Sequence, residues 1–192
     1  MRTLTEQQMI DIIWGATLMG GGGGGSISSG MDLLNAYKRD HPDAKIEVDL
    51  ITVDEMKGGY AAATAGMGAP AAIVGVDFSK YAANAFSLLQ EVAARHGKDL
   101  RYNIPVELGG FSIFFPLLLS LITEFKTVDA DGAGRAVPAL ETLLLHVNGC
   151  PTSPIALANG VNDKITVELA DSHNAPLAEK IGRDICGEFG NM

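Results

Sequence analysis

The segment LRYNIPV at residues 100–106, followed by ELGG at 107–110 and FSIFFPLLLSLITEF at 111–125, decides the fold class of this chain. The first part predicts a strand, the glycine pair a turn, and the long apolar part a helix. Thr127 and Val128 follow it as a short buried strand. A strand, a helix and another strand in this order are typical of a parallel sheet.

The same alternation extends towards both ends of the chain. Near the start, Thr5 and Gln8 have the spacing of a capping box, so a helix begins there and ends at Gly20. A second helix follows, capped by one of three serines. Further strands are predicted at 45–53, 155–158 and 165–169, with a short one near 74–76, and further helices at 79–96, from Pro138 to 146 or 147, and at 175–189. We therefore predict a single α/β domain over residues 1–192, a layered domain with a largely parallel sheet flanked by helices.

Composition excludes several classes of protein. The net charge is −9 and no basic run occurs, so a nucleic-acid surface is not expected. The longest apolar stretch, 111–122, is far shorter than the roughly 20 residues that cross a bilayer, so no membrane partner is expected. The two cysteines form no disulfide framework and no apolar signal region opens the chain, which together predict a cytoplasmic location.

Three glycine-bearing segments fall where loops are expected to enter helices, at 66–68, 107–110 and 129–135. In parallel sheets, ligands bind outside the carboxyl ends of the strands, where loops enter helices. The sequence therefore predicts a pocket formed by these loops. The run Gly20–Gly25 can join them, although it connects two helices.

The glycine run leads into a serine-capped helix, whose free N–H groups and dipole can hold an anion. It is not a P-loop, because no Lys-Ser or Lys-Thr follows at the required spacing, and no strand precedes it as a dinucleotide fingerprint requires. A flexible connection between two helices is the alternative interpretation.

Acidic residues supply the candidate chemistry. Asp129 and Asp131, with Arg135 nearby, can bind a polar ring or a metal, or activate water. The alternative is a turn whose aspartates cap the next helix and pair with Arg135. Glu107, before two glycines, can act as a general base or orient a ring N–H, or it can be an ordinary solvated carboxylate.

Four ordered segments resemble the N-terminal domain of the S-methyl thiohydantoin desulfurase family. They are 15–25, 66–70, 107–110 and, as the strongest match, 128–138. Full-length members of that family carry a second, β-rich domain, so the resemblance implies that this C-terminal domain is absent here.

The resemblance implies hydrolytic removal of the sulfur substituent from a thiohydantoin-type ring, which gives a hydantoin. Glu107, Asp129 or Asp131 would take the proton of the attacking water. The hydantoin-like ligand would contact Gly22, Gly23, Gly24, Gly25, Ser26, Gly68, Gly109, Gly110, Gly134 and Arg135. No cofactor is implied, and metal use stays open because one short Asp-x-Asp supplies too few ligands.

The chain departs from the family pattern at several polar positions. The family has a threonine within the glycine run and an acid after it, where this chain has Gly21 and Ser26, and its Asn-Ser pair is Ser112-Ile113 here. After the second proline, Ala139 replaces the family's glutamate. A second interpretation therefore stands beside the enzyme: a non-catalytic ligand-binding subunit that pairs with a separate β-rich domain, or a homo-oligomer.

Overall fold

A five-stranded sheet organises the computed structural model, which describes residues 1–68 and 78–190. Its strands are β1 (Arg2–Thr5), β2 (Glu47–Ile51), β3 (Tyr60–Thr64), β4 (Leu100–Pro105) and β5 (Lys126–Val128). They lie in the order β1-β2-β5-β4-β3. β1 is antiparallel to β2, and the other pairs are parallel. The predicted α/β class with a largely parallel sheet is confirmed.

Among the residues that the structure describes, six α-helices accompany the strands. They are α1 (Glu6–Gly20), α2 (Ile27–Asp40), α3 (Phe78–Arg95), α4 (Gly110–Ile122), α5 (Leu144–Val147) and α6 (Ala175–Glu188). The predicted start of α1 is confirmed, because the Thr5 side chain and the Gln8 side chain cap each other's backbone N–H groups. Gly21 ends α1 in the left-handed conformation, and Ser26 caps α2.

Helix α4 is the centre of the core. It packs on β2, β4 and β5 and is surrounded by α1, α2 and α3. Its side chains are buried around its whole circumference, with Phe114 and Leu119 fully buried. An all-round apolar helix is what such a position requires.

A buried polar network joins α4 to the sheet beneath it. Ser120 Oγ lies 3.1 Å from Asn103 Nδ2 and 2.8 Å from Thr127 Oγ1. Thr127 also donates to the carbonyl of Pro116 at 3.2 Å. Asn103 and Thr127 are almost completely buried, so the network gives hydrogen-bond partners to polar groups that water does not reach.

The second half of the chain departs from the predictions. The helix predicted from Pro138 is wrong: the segment forms a 3-10 turn at Leu140–Thr142 and then the short α5. Backbone N–H groups of this segment bond to distant carboxylates instead, since Val137 donates to Glu107 and Leu140 donates to Glu179.

Other differences concern strands. The strands predicted at 155–158 and 165–169 do form, as β6 (Ile155–Ala158) and β7 (Lys164–Val167), but they make a separate antiparallel hairpin that packs on α3. Neither β1 nor β3 was predicted. The short strand predicted near 74–76 lies outside the described residues.

Candidate functional site

The predicted loops meet at one edge of the sheet, where β3, β4 and β5 end; we call it the carboxyl edge. The loop after β4 contacts the loop after β5, because the Leu108 N–H donates to the Arg135 carbonyl at 3.2 Å and the Gly132 N–H to Pro105 at 3.0 Å. The loop after β3 holds Gly66 and Gly68.

The glycine run Gly20–Gly25 joins this edge directly. The Gly24 carbonyl accepts from the N–H groups of Phe111 (3.1 Å) and Ser112 (3.0 Å), and the Gly25 carbonyl accepts from Gly110 (2.9 Å). The first N–H groups of a helix have no partner within the helix, so the glycine run caps the N-terminus of α4.

Close packing explains part of this run. A Cβ on Gly24, which has φ +68°, would lie 2.4 Å from the Leu108 carbonyl oxygen. A Cβ on Gly23 would lie 2.6 Å from the Cβ of Ala136. By contrast, a Cβ on Gly22 would meet nothing within 4 Å, and this residue is exposed. The run is therefore a packed connection at Gly23 and Gly24 and an open surface at Gly22.

Glu107 anchors two segments at the carboxyl edge. Its Oε1 accepts from Ser112 Oγ at 2.9 Å, and its Oε2 accepts from the Val137 N–H at 2.7 Å. The side chain is half-buried. Because both oxygens already have partners, Glu107 holds the loop after β5 against the start of α4.

The two aspartates have different surroundings. Asp131 accepts from the N–H of Ala133 at 2.8 Å and from that of Gly134, an arrangement that closes a tight turn. Asp129 follows β5 directly, and its side chain is 53% exposed. Its nearest cation is Arg2, whose Nη2 lies 3.5 Å from Oδ2. Of the three predicted acids, Asp129 is the one with its carboxylate facing solvent.

The remaining predicted residues surround these acids or lie close by. Gly134 and Arg135 are exposed. Gly109 and Gly110 are buried against the glycine run and Ser26, whose hydroxyl caps the Ser29 N–H at 3.1 Å. Gly68 lies in the loop after β3.

Several residues at this edge were not predicted. Ser112 and Arg2 are described above, and Cys186 of α6 reaches the loop after β3, with Sγ 3.3 Å from the Met67 carbonyl. Burial raises the pKa of the Cys186 thiol, so this cysteine is a packing group rather than a thiolate nucleophile. Thr64 Oγ1 is buried at the end of β3 and has no hydrogen-bond partner among the described residues.

A groove of about 530 Å³ lies at the opposite, amino ends of β4 and β5. None of the predicted site residues lines it. Three ion pairs lie in or beside it: the Met1 amine with Glu55, Arg101 with Asp99, and Lys126 with Asp49.

Over residues 1–68 and 78–190, no group of three His, Cys, Asp or Glu side chains is arranged to hold a metal ion. Within the same part of the chain, no helix combines the length and the apolar character needed to cross a membrane.

The fold and the edge define an α/β domain in which a glycine run packs against the loops that follow parallel strands. Residues 7–169 match the S-Me-THD-like N-terminal domain family, and the chain belongs to that family. The crystal structure of a protein from Chromobacterium violaceum is similar over 100% of this chain, with a TM-score of 0.87 and 25% sequence identity. The match covers 53% of that chain, so this chain spans about half the length of its solved relative. No curated protein sequence matches it.

Proposed function

We propose that this chain binds a thiohydantoin-type ring at the carboxyl edge and hydrolyses its S-methyl substituent, as a desulfurase. Membership of the S-Me-THD-like family supports the substrate class. The observation that carries the site is the meeting of the glycine run, residues 107–110 and residues 131–137 through backbone hydrogen bonds. The Thr64 hydroxyl at the same edge, which has no partner within residues 1–68 and 78–190, is a further polar group for a ligand.

Asp129 is the general base in this proposal. Glu107 and Asp131 already accept two hydrogen bonds each, whereas the Asp129 carboxylate is exposed beside Arg2. A general base must reach the water whose proton it takes, so an accessible carboxylate suits the role.

The proposed reaction balances as a hydrolysis. The water oxygen bonds to the ring carbon that carries the S-methyl group, and Asp129 takes the water proton. The carbon–sulfur bond then breaks, and the methanethiolate leaves and is protonated, giving hydantoin and methanethiol. Among the described residues, the N–H groups of Gly22, Gly24 and Gly25 have no acceptor, so they are free to steady the developing negative charge. The exposed Arg135 guanidinium orients a ring oxygen.

Methanethiol release from an S-methyl thiohydantoin tests the proposal. We expect turnover by the full chain and at least about a 100-fold loss in Asp129→Asn, since a positioned base contributes 10²–10⁴-fold. Asp43→Asn is the matched control, because Asp43 is also an exposed aspartate but lies in the turn after the C-terminal end of α2.

Thermal stability should change little in either variant, since exposed ion pairs contribute up to about 1 kcal/mol. Absence of methanethiol release by the wild type would refute the proposed desulfurase activity. Full activity in Asp129→Asn would remove this residue from the mechanism.

A second candidate is a ligand-binding subunit that works with a separate β-rich domain. One observation favours it: the outer face of α1 exposes Trp14, Leu18 and Met19, at 59%, 82% and 59%. Together they expose roughly 400 Å² of apolar surface, in the range that marks an interaction site. This face runs into the glycine run, so a partner seated on it would cover the carboxyl edge.

Trp14 is the only tryptophan of the chain, so its fluorescence reports on that face. If the chain is such a subunit, we expect hydantoin to raise its melting temperature while the chain alone does not turn over S-methyl thiohydantoin. Adding a β-rich partner should then shift Trp14 emission to shorter wavelength and restore activity. Turnover by the chain alone would contradict this candidate. A dimer that shields Trp14, measured by sedimentation, would assign the face to a second copy instead.

A further inference from the structure

We propose that Ser112 is a positioning residue for the carboxyl edge, because it links the glycine run to the loop that carries Asp131 and Arg135. This inference rests on the proposed function for its effect on the ligand. Ser112 lies in the first turn of α4 and is 6% exposed.

Ser112 bonds to both sides of the edge. Its N–H donates to the Gly24 carbonyl at 3.0 Å, which holds the glycine run. Its hydroxyl donates to Glu107 Oε1 at 2.9 Å. The other oxygen of Glu107 accepts from the Val137 N–H at 2.7 Å. A continuous chain of hydrogen bonds therefore runs from Gly24 to Val137.

The hydroxyl of Ser112 fixes the rotamer of Glu107. Hydrogen bonds to an ionised group are stronger than neutral ones, and a half-buried carboxylate that loses one donor reorients to find another. Removing the hydroxyl therefore loosens the Val137 contact and lets the loop 131–137 move. Ser112 touches none of the proposed reacting atoms, so its effect passes through Glu107.

The variant Ser112→Ala removes the hydroxyl and keeps the backbone bond to Gly24. We expect the Val137 amide to exchange with solvent about five- to tenfold faster, which is the effect of losing one such hydrogen bond. The KM for the S-methyl thiohydantoin should rise about fivefold while kcat changes less than twofold, because Asp129 is untouched. Ser112→Thr keeps a hydroxyl and should restore both values.

Ser120→Ala is the matched control. Ser120 lies on the same helix, roughly 12 Å further along, and its hydroxyl bonds to Asn103 and Thr127. A purely structural loss in α4 would affect both alanine variants alike. We expect Ser120→Ala to lower stability but to leave Val137 exchange and KM unchanged.

If Ser112→Ala fails to fold, Glu107→Gln tests the same link, because a neutral amide oxygen accepts more weakly than a carboxylate. Val137 exchange should again quicken. Unchanged Val137 exchange in these variants, or equal changes in Ser120→Ala, would overturn the inference. Failure of the proposed function gives a different result, because the wild type then releases no methanethiol whether or not Val137 amide exchange changes in the variants.

Discussion

Gly30 in α2 offers a substitution whose effect opposes its helix propensity. Replacing a glycine within a helix by alanine ordinarily stabilises a protein by about 1 kcal/mol. A Cβ on Gly30, however, would lie 2.2 Å from the Gly110 carbonyl oxygen and 2.9 Å from Ile13 Cγ2. Non-bonded carbon and oxygen atoms do not approach so closely, so α2 would have to move away from α4 by roughly 1 Å.

The magnitude follows from these two opposing effects. Overpacking a core costs about 1–3 kcal/mol, and occasionally more. The upper end applies here because the obstructing oxygen belongs to the backbone of α4. After the gain in propensity, we expect Gly30→Ala to lower the free energy of unfolding by about 2 kcal/mol. For a chain of this length that is roughly 4–8 °C in melting temperature.

Gly15→Ala in α1 is the matched control. A Cβ there meets nothing within 4 Å, so only the propensity gain remains, about 0.5–1 kcal/mol of stabilisation. Urea denaturation followed by circular dichroism would measure both variants, with the slope m unchanged. If Gly30→Ala proved as stable as Gly15→Ala, the close contact between α2 and α4 would be refuted.

Two further variants test other parts of the structure. The Met1 amine and the Thr52 N–H lower the pKa of Glu55 from 4.5 to about 2, so its carboxylate stabilises the fold above its unfolded pKa and this stability is lost as pH falls towards 2. Glu55→Gln should therefore flatten the fall in melting temperature between pH 4.5 and 2, and equal slopes would contradict the pairing. Asn103→Ala should lower the free energy of unfolding by about 2–4 kcal/mol, because it leaves a cavity and unpaired hydroxyls. Exposed Asn35→Ala should change stability by at most about 0.5 kcal/mol, and a similar small loss at Asn103 would show that the buried network contributes little.

Local signals and strand alternation made much of the fold predictable. The capping box of Thr5 and Gln8 depends on residues three apart. The alternation around 100–128 fixes parallel strands, and therefore places the following loops at one edge.

Contacts between distant residues were not predictable. Pro138 suits the first turn of a helix, but Glu107 and Glu179 take the neighbouring N–H groups from 30 and 39 residues away. Asp129 does not pair with Arg135, as the alternative interpretation expected. It pairs with Arg2, which the alignment of β1 beside β2 brings close to it. β1 runs directly into the capping box of α1, so its residues were interpreted as the start of that helix.

The glycine run shows the same limit. Its sequence favoured a ligand-contacting loop because six glycines lose much entropy on ordering. The structure supplies a packing reason at Gly23 and Gly24, which depends on Ala136 and Leu108 and cannot be read from the run. Gly22 has no such contact, so the proposal of a ligand rests on the open part of the run.

A crystal structure of the chain soaked with hydantoin would show where the ring binds. We expect the ring at the carboxyl edge, within hydrogen-bond distance of the Asp129 carboxylate and of the free N–H groups of Gly22, Gly24 and Gly25. A ring bound in the groove beside Tyr102 and Lys126, with the carboxyl edge empty at saturating hydantoin, would contradict it.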